Sequence, residues 1–462
     1  MFDLVVIGSG PGGYVAAIRA SQLGMNTAVI ERSELGGICL NWGCIPTKAL
    51  LKSVQALHYA HHSADYGFAI EGEIKPDLAK IVERSRGVSA NMSRGIEYLF
   101  KKNKITVIQG SGKLAGEGKI DVTAADGSVT SVEAKNIIIA TGARANSLPF
   151  APIDGKKIIS YRQALVPDAL PKSLAVIGSG AIGSELAYFY RSLGTEVHLI
   201  EYLDAIVPLE DEEVSAQLSR SFRKMGMKVM VSSQVKNVDT SGELCKLTVQ
   251  TKKGEEIIET EKVLSAVGVV ANIENLGLEE LGIAAERGKI KVDAGYMTTV
   301  KGIYAIGDVI ATPALAHVAS AEGINCVEQI AGLNPHPVNY SNIPGCTYTT
   351  PEIGSVGITE KAAKERGIEY KVGKFPFTAS GKAAAAGDKD GFVKLIVDAN
   401  SDEILGAHLI GANVTEMVSG IVVARNLGVK ARDFIHSVHP HPTMSEAIME
   451  AAAAAHGEVI HI

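Results

Sequence analysis

A chain of 462 residues with 48 glycines and 46% hydrophobic residues has room for two to four domains with sizeable cores, the composition of an α/β enzyme. A formal net charge of −6 offers no electrostatic ground for binding nucleic acid, and no apolar run is long enough to span a membrane. Five cysteines are too few for a disulfide scaffold and fit a reducing, cytoplasmic setting.

The first predicted element is the short apolar strand Phe2-Asp3-Leu4-Val5-Val6-Ile7, which leaves no stretch that reads as a signal or transit peptide. It runs into Gly8-Ser9-Gly10-Pro11-Gly12-Gly13, then a helix over Tyr14 to Leu23 and a second strand over Thr27 to Ile30 that ends at Glu31. This is a G-x-G-x-x-G turn between strand and helix. Gly8 allows the tight turn, Gly10 lets the backbone approach a pyrophosphate, and Gly13 lets helix and strand pack closely. Glu31, 18 residues past Gly13, can accept from a ribose hydroxyl. A glycine pattern alone is a weak signal; with flanking strands and the acid it is specific for a dinucleotide.

Next comes Gly36-Gly37-Ile38-Cys39-Leu40-Asn41-Trp42-Gly43-Cys44-Ile45-Pro46-Thr47-Lys48. In a regular helix the Cα atoms of Cys39 and Cys44 would stand roughly 8–9 Å apart, beyond the ~4.4–6.8 Å that a disulfide needs. Either the pair is unbonded and merely buried, or the backbone between them is distorted, as Gly43 permits. With a dinucleotide turn close by, the reading is a strained, reducible disulfide at a helix start. Pro46 suits the first turn of a helix restarting just behind it. The helix N-terminus and Lys48 are expected to lower a thiol pKa.

Helices are predicted over Val54 to His62 and Leu78 to Lys101. Strands follow at Ile105 to Gln109, Ile120 to Ala124 and Val129 to Val132, with Asp126-Gly127 as a hairpin turn. A buried strand, Asn136 to Ile139, ends in the small-residue turn Ala140-Thr141-Gly142-Ala143. The first unit then repeats. Adding 170 to Gly8, Gly10, Gly13 and Glu31 gives Gly178, Gly180, Gly183 and Glu201, again between a strand (Leu174 to Ile177), a helix and a second strand. Two dinucleotide units argue for two dinucleotides. Tyr202 to Pro208 contains no Arg or Lys to receive a 2′-phosphate, which favours NAD over NADP.

Beyond the second turn, a helix is predicted over Asp211 to Met225. Strands are predicted over Lys228 to Met230, Cys245 to Thr251 and Ile257 to Glu261, and loops and short elements from about Val269 to a short strand ending in Gly307-Asp308. Asp308 suits either a polyol or ribose at a strand C-terminus or the cap of a following helix. From Tyr340, four strands read as antiparallel, with helices at Thr359 to Arg366 and Thr415 to Asn426. This is a separate α+β domain of the kind that pairs subunits. The last cluster is His439-Pro440-His441-Pro442-Thr443-Met444-Ser445-Glu446, followed by a helix to about His456. A His–carboxylate pair makes a general base. The same spacing makes a capping box from Thr443 and Glu446, and His439 competes with His441 for the base. Cys245, Cys326 and Cys346 read as ordinary buried thiols, and no metal site is expected.

Taken together, these stretches resemble the flavin disulfide reductases, in their dihydrolipoamide dehydrogenase branch, over essentially the whole length. The resemblance rests on Gly8 to Gly13 with Glu31, Gly36 to Lys48, Ala140 to Gly142, Gly178 to Glu185 with Glu201, Ala305 to Asp308, and His439 to Glu446. It implies an α/β fold of two Rossmann-like dinucleotide-binding domains plus a C-terminal α+β dimerisation domain. The expected organisation is 1–143 for FAD, 144–268 for NAD, 269–337 returning to the FAD domain, and 338–462 for the interface. The resemblance puts FAD on Gly8, Gly10, Gly13, Glu31, Thr141, Gly142 and Asp308, with Lys48 near the flavin and Glu185 as its partner. It puts NAD on Gly178, Gly180, Gly183 and Glu201. Cys39 would exchange with substrate and Cys44 would face the flavin. His441, oriented by Glu446, would act as base across a homodimer interface. The implied partners are lipoyl domains of 2-oxo acid dehydrogenase complexes or the glycine cleavage system. Where the family often has arginine after Val-Gly, this chain has Val269-Val270, and Val318 replaces a common lysine. A glutathione-reductase-like enzyme and a flavin NAD(P) transhydrogenase are the alternatives. The residues after Glu201 speak against the first, and the second does not need both Cys39 and Cys44.

Overall fold

The run Phe2–Ile7 forms the middle of a parallel sheet because Leu4, Val5, Val6 and Ile7 are apolar without alternation, and a strand covered on both faces buries every side chain. It pairs in parallel with Thr27–Glu31 on one side and with the end of Val129–Ile139 on the other. Thr106–Gln109 and Ile303–Ala305 extend the two flanks, also in parallel. The computed structural model describes Met1–Ile462. The chain divides into two units, and this sheet belongs to the first, made of Met1–Leu50, Ala79–Asn146 and Val269–Val338.

Val129–Ile139 is one strand of 11 residues, where the sequence reading has two. Nothing in Thr130 to Asn136 breaks a strand. The alternation that buries Val132 and Ala134 runs on into the fully buried Ile137, Ile138 and Ile139. Its first half pairs antiparallel with Lys119–Thr123, which pairs with Ser111–Gly116, and its second half joins the parallel sheet. Each buried isoleucine contributes about 1.5–3 kcal/mol. The helices Pro11–Gln22 and Ala316–Ile330 approach closely on one another through small residues. A Cβ on Gly323 would lie 2.7 Å from the Gly12 carbonyl oxygen.

The second unit, Leu51–Leu78, Ser147–Gly268 and Asn339–Ile462, repeats this plan. Its parallel sheet runs Lys228–Met230, Glu196–Ile200, Ser173–Ile177, Lys262–Ser265, Ile158–Ile159. A three-stranded antiparallel sheet, Gln234–Asp239, Cys245–Thr251 and Gly254–Thr260, stands beside it. The unit also holds a five-stranded antiparallel sheet: Gly345–Thr347, Glu352–Gly357, Ile404–Gly411, Phe392–Asp398, Tyr370–Pro376. The helix Glu446–Ala455 lies against its last strand, so close that a Cβ on Gly373 would sit 1.8 Å from the Ala451 carbonyl oxygen.

Several strands escape sequence reading, and the longest are Ser111–Gly116 and Gln234–Asp239. The first carries two glycines and the second is mostly polar, so neither has strong intrinsic preference; pairing with a neighbour makes them strands. Val269–Ala271, at the start of a stretch read as loops and short elements, pairs antiparallel with Ala143–Ala145. No helix is long and apolar enough to cross a membrane.

Candidate active site

The two glycine-rich turns have the same construction. Gly8 and Gly178 adopt left-handed φ values of +104° and +95°, and a Cβ there would strike the Ala140 and Ala266 carbonyl oxygens at 2.4 and 2.5 Å. A Cβ on Gly13 would lie 1.9 Å from the Gly8 oxygen, and one on Gly183 2.0 Å from the Gly178 oxygen. Only at Gly10 and Gly180 would a Cβ meet nothing within 4 Å. Each is the N-cap of a helix, Pro11–Gln22 and Ala181–Ser192, with no side-chain cap. The first-turn N–H groups therefore face open space at the positive end of a helix, which suits a pyrophosphate.

The acids at the strand ends shape these turns. Glu31 Oε2 accepts from the Ser9 N–H at 2.9 Å and the Ser9 hydroxyl at 2.7 Å, while Oε1 accepts from the Ser33 N–H at 2.9 Å. Glu201 Oε2 accepts from the Ser179 N–H at 2.9 Å and hydroxyl at 2.7 Å, and Oε1 from the Leu203 N–H at 3.0 Å. A carboxylate has about four acceptor positions, so one on Oε1 is left for a ribose. Sequence reasoning missed Ser9 and Ser179, although their recurrence as Gly-Ser-Gly was the available signal.

In the first unit, Thr141 and Gly142 are tied to Asn272. The Thr141 hydroxyl donates to the Asn272 carbonyl at 2.7 Å, and Asn272 Nδ2 and N–H donate to the Thr141 and Gly142 carbonyls at 3.0 and 2.8 Å. Asn272 has no local signature, because its partners lie 131 residues earlier. Asp308 follows the strand Ile303–Ala305 in a single 3₁₀ turn, and the next helix is capped at Leu315, so Asp308 is not its cap. Burial pushes the Asp308 carboxyl up, with Lys289 working against it. The Lys289 ammonium donates to the Asp308 carbonyl.

Gly43 separates the short helix Gly37–Trp42 from the helix Cys44–His61. The second helix therefore starts at Cys44 with Pro46 in its first turn, as expected, and runs unbroken into the stretch predicted as a helix from Val54. Cys39 and Cys44 are both thiols and share a hydrogen bond. The expected lowering of a thiol pKa is reversed at Cys39. Its bond to Cys44 and its burial push it above the ordinary thiol range, outweighing the pull of Lys48. The loop is held by side chains that sequence reading passed over. Asn41 Nδ2 donates to the Leu35 and Gly37 carbonyls at 2.9 and 3.1 Å, and Asn41 Oδ1 accepts from Ser93 at 2.9 Å. The Ser85 hydroxyl donates to the Pro46 carbonyl, and Arg86 donates to the Asn41 carbonyl with its guanidinium 4.1 Å from the Trp42 ring centre. Ser85, Ser89 and Ser93 recur every four residues along Leu78–Lys102, a polar stripe that was legible.

In the second unit, His441 Nδ1 lies 2.8 Å from Glu446 Oε1, and Glu446 Oε2 accepts from the Thr443 N–H at 2.7 Å. One carboxylate thus serves both readings of that cluster. The reciprocal half of the capping box is absent: the Thr443 hydroxyl donates to the Pro440 carbonyl, and the helix is capped at Ser445. His439 turns to the Ser437 carbonyl instead. Burial opposes it, but the Thr443 N–H and the His441 ring hold the Glu446 carboxyl below its ordinary range. The His441 side chain is 76% exposed in the single chain. Glu185, buried in Ala181–Ser192, accepts from the Tyr348 N–H at 2.9 Å.

Residues 2–323 match the pyridine nucleotide-disulphide oxidoreductase family, and residues 343–452 match its dimerisation domain. The chain belongs to the pyridine nucleotide-disulphide oxidoreductases. This oxidoreductase is 49% identical to dihydrolipoyl dehydrogenase of Rhizobium etli, over all of this chain and 99% of the relative. It is 48% identical to dihydrolipoyl dehydrogenase of Zymomonas mobilis, again over all of this chain and 99% of the relative. The solved structure of LpdA from Mycobacterium tuberculosis superposes with a TM-score of 0.90 at 29% identity, covering 97% of this chain and 98% of that one. The dihydrolipoyl dehydrogenase branch is thereby favoured over the glutathione-reductase-like and transhydrogenase alternatives. The enzyme's cofactors are FAD and NAD, and its C-terminal region is a dimerisation domain. The residues fit two dinucleotides: two uncapped helix N-termini, two turns open only at their middle glycine, and two oriented acids.

Proposed function

We propose that this oxidoreductase oxidises protein-bound dihydrolipoamide to lipoamide, as the shared dihydrolipoyl dehydrogenase component of 2-oxo acid dehydrogenase complexes or the glycine cleavage system. In this reading FAD is held at Gly8, Gly10, Gly13, Glu31, Thr141, Gly142 and Asp308, with Lys48 nearby and Glu185 as the partner of that lysine, and NAD at Gly178, Gly180, Gly183 and Glu201. FAD, when bound, takes an electron pair from a dithiol, and NAD carries it away.

The rest falls to the chain's own groups. His441, with its Nδ1 proton held by Glu446, presents Nε2 to a substrate thiol and removes its proton. The substrate thiolate attacks Cys39 Sγ of the Cys39–Cys44 disulfide. A mixed disulfide forms, the Cys39–Cys44 bond breaks, and Cys44 leaves as thiolate. The second substrate thiol, its proton released to water, then attacks the substrate sulfur bonded to Cys39 in the mixed disulfide. Cyclic lipoamide is released, Cys39 takes up the proton from His441, and the pair holds two electrons. The His441–Glu446 pair of one copy serves the cysteines of the other in the dimer. The supporting observation is the Cys39–Cys44 thiol contact, which is the reduced half of such a couple. The bacterial relatives and sparing use of cysteine support a cytoplasmic setting.

The deciding assay follows NADH from dihydrolipoamide and NAD, beside NADPH consumption with glutathione disulfide. Rapid NADH formation with an inert glutathione pair is expected. Turnover of the glutathione pair alone would remove the dihydrolipoamide reading.

A further inference from the structure

The two halves of the repeat close their turns differently. In the first, the Ser9 carbonyl accepts from the Gly36 N–H at 3.1 Å, and Gly36 has φ of +91°. In the second, the Ser179 carbonyl accepts from the Val207 N–H, also at 3.1 Å. Val207 has φ of +41°, left-handed like Gly36, but with a β-branched side chain that this conformation disfavours. The connection from Glu31 to Gly36 is five residues and that from Glu201 to Val207 is six, so the fixed offset of 170 hides the equivalence.

We propose that Val207 is a positioning residue for the pyridine nucleotide, holding the second glycine-rich turn in its binding shape through a hydrogen bond made from a strained backbone. The inference rests on the reading that NAD occupies that turn. Three observations carry it. Ser179 is fully buried, and its other groups are already committed: N–H and hydroxyl go to Glu201, and its carbonyl also accepts from Ser184 at 2.8 Å. The Val207 amide completes this set, so the peptide beside Gly180 has no freedom left. Val207 is 4% exposed, between the buried Ile206 and the half-buried Pro208, and its own carbonyl accepts from the Glu210 N–H at 2.9 Å and the Ser215 hydroxyl at 3.3 Å. Packing and bonding on both sides thus over-determine a conformation that the residue alone would leave. Finally, the same bond in the first turn is made by a glycine, where no such strain arises.

Strain and packing predict opposite orders for two substitutions. If Val207 acts only as core filling, Val207→Gly is the worse variant, since it removes more side chain and loosens the chain. If the left-handed backbone is what matters, Val207→Ala is worse. It keeps the conformational penalty and deletes the packing that enforces it, whereas glycine makes the bond freely, as Gly36 does. The experiment is calorimetric titration of NAD⁺ into oxidised holoenzyme, with KM for NAD and for the dithiol measured on the same preparations. Expected are weakening of NAD⁺ binding by about tenfold in V207A and by no more than about threefold in V207G. The change in KM should fall on NAD and not on the dithiol. Unchanged NAD⁺ affinity in V207A, or a larger loss in V207G than in V207A, overturns the proposal. Should V207A yield no holoenzyme, V207G decides alone, with a loss beyond about threefold overturning the proposal. Gly180→Ala separates the two levels. If it leaves NAD⁺ affinity intact, the assignment of NAD to this turn fails. If G180A loses affinity while the Val207 variants contradict the order above, only the role of Val207 fails.

Discussion

At the scale of single residues, the Cys39 thiol governs the pH behaviour of the exchange. It is pushed up by Cys44 and by burial, so at neutral pH it is protonated and a poor nucleophile until a base removes its proton. In the reverse reaction, lipoamide reduction driven by NADH, Cys39 attacks first. His441→Gln should lower that rate by about 10²–10⁴-fold near neutrality. Because the Cys39 pKa is raised, the residual rate should climb by roughly tenfold per pH unit as hydroxide replaces the base. A flat pH profile in H441Q would show that His441 is not the group that takes this proton. Gly10→Ala probes the first turn. Its Cβ meets no protein atom within 4 Å, so the fold should be unaffected, yet the methyl intrudes where a pyrophosphate passes. Purified G10A should carry less flavin than wild type by absorbance; full flavin content would remove Gly10 from the cofactor cradle.

At the scale of elements, the unusual feature of the second unit is Lys394. It lies on Phe392–Asp398, is 1% exposed, and its ammonium sits 3.0 Å from Asp211 Oδ1, 3.0 Å from Glu213 and 2.7 Å from Glu360. Asp211 caps Glu212–Lys224 and Glu360 opens Glu360–Glu365, so one lysine joins two helix starts to a sheet. Lys394→Met would leave the buried Asp211 carboxylate without a cation, while Glu213 and Glu360 keep Lys374 and Lys364, at a cost of about 3–5 kcal/mol. Urea unfolding at pH 7 should show that loss, and a midpoint within error of wild type would mean that the cluster is solvated. The Lys394 ammonium holds the Glu360 carboxyl down at about 2. A depressed carboxyl stabilises the fold above its unfolded pKa, and the contribution is lost as pH falls towards about 2. Wild type should therefore lose stability over that acid range more steeply than K394M.

At the scale of the whole molecule, the dimerisation domain makes a prediction about sharing. If the cysteines and His441 that work together come from different copies, a hybrid of Cys44→Ser and His441→Gln chains holds one intact site and one doubly damaged site. Mixing the two inactive homodimers under exchange should restore about a quarter of wild-type activity. If both groups came from one chain, every hybrid site would carry one lesion and activity would stay at the homodimer level. Recovery of activity on mixing is the measurement.

The sequence by itself determined what short-range backbone geometry can encode. Gly8, Gly13, Gly178 and Gly183 stand where any side chain would strike the backbone, so their spacing, and the repeat at 170, are readable as residue types. So are the all-apolar strands and the close pairing of Cys39 with Cys44. Only the tertiary structure decided which groups meet across long separations. It brought Asn272 to Thr141, gave Ser9 and Ser179 their acids, let Glu446 serve His441 and the Thr443 amide at once, and joined two predicted strands into Val129–Ile139. It also reversed the expected shift at Cys39, because a thiol's pKa follows burial and its neighbours in space, and neither is written in the order of the chain.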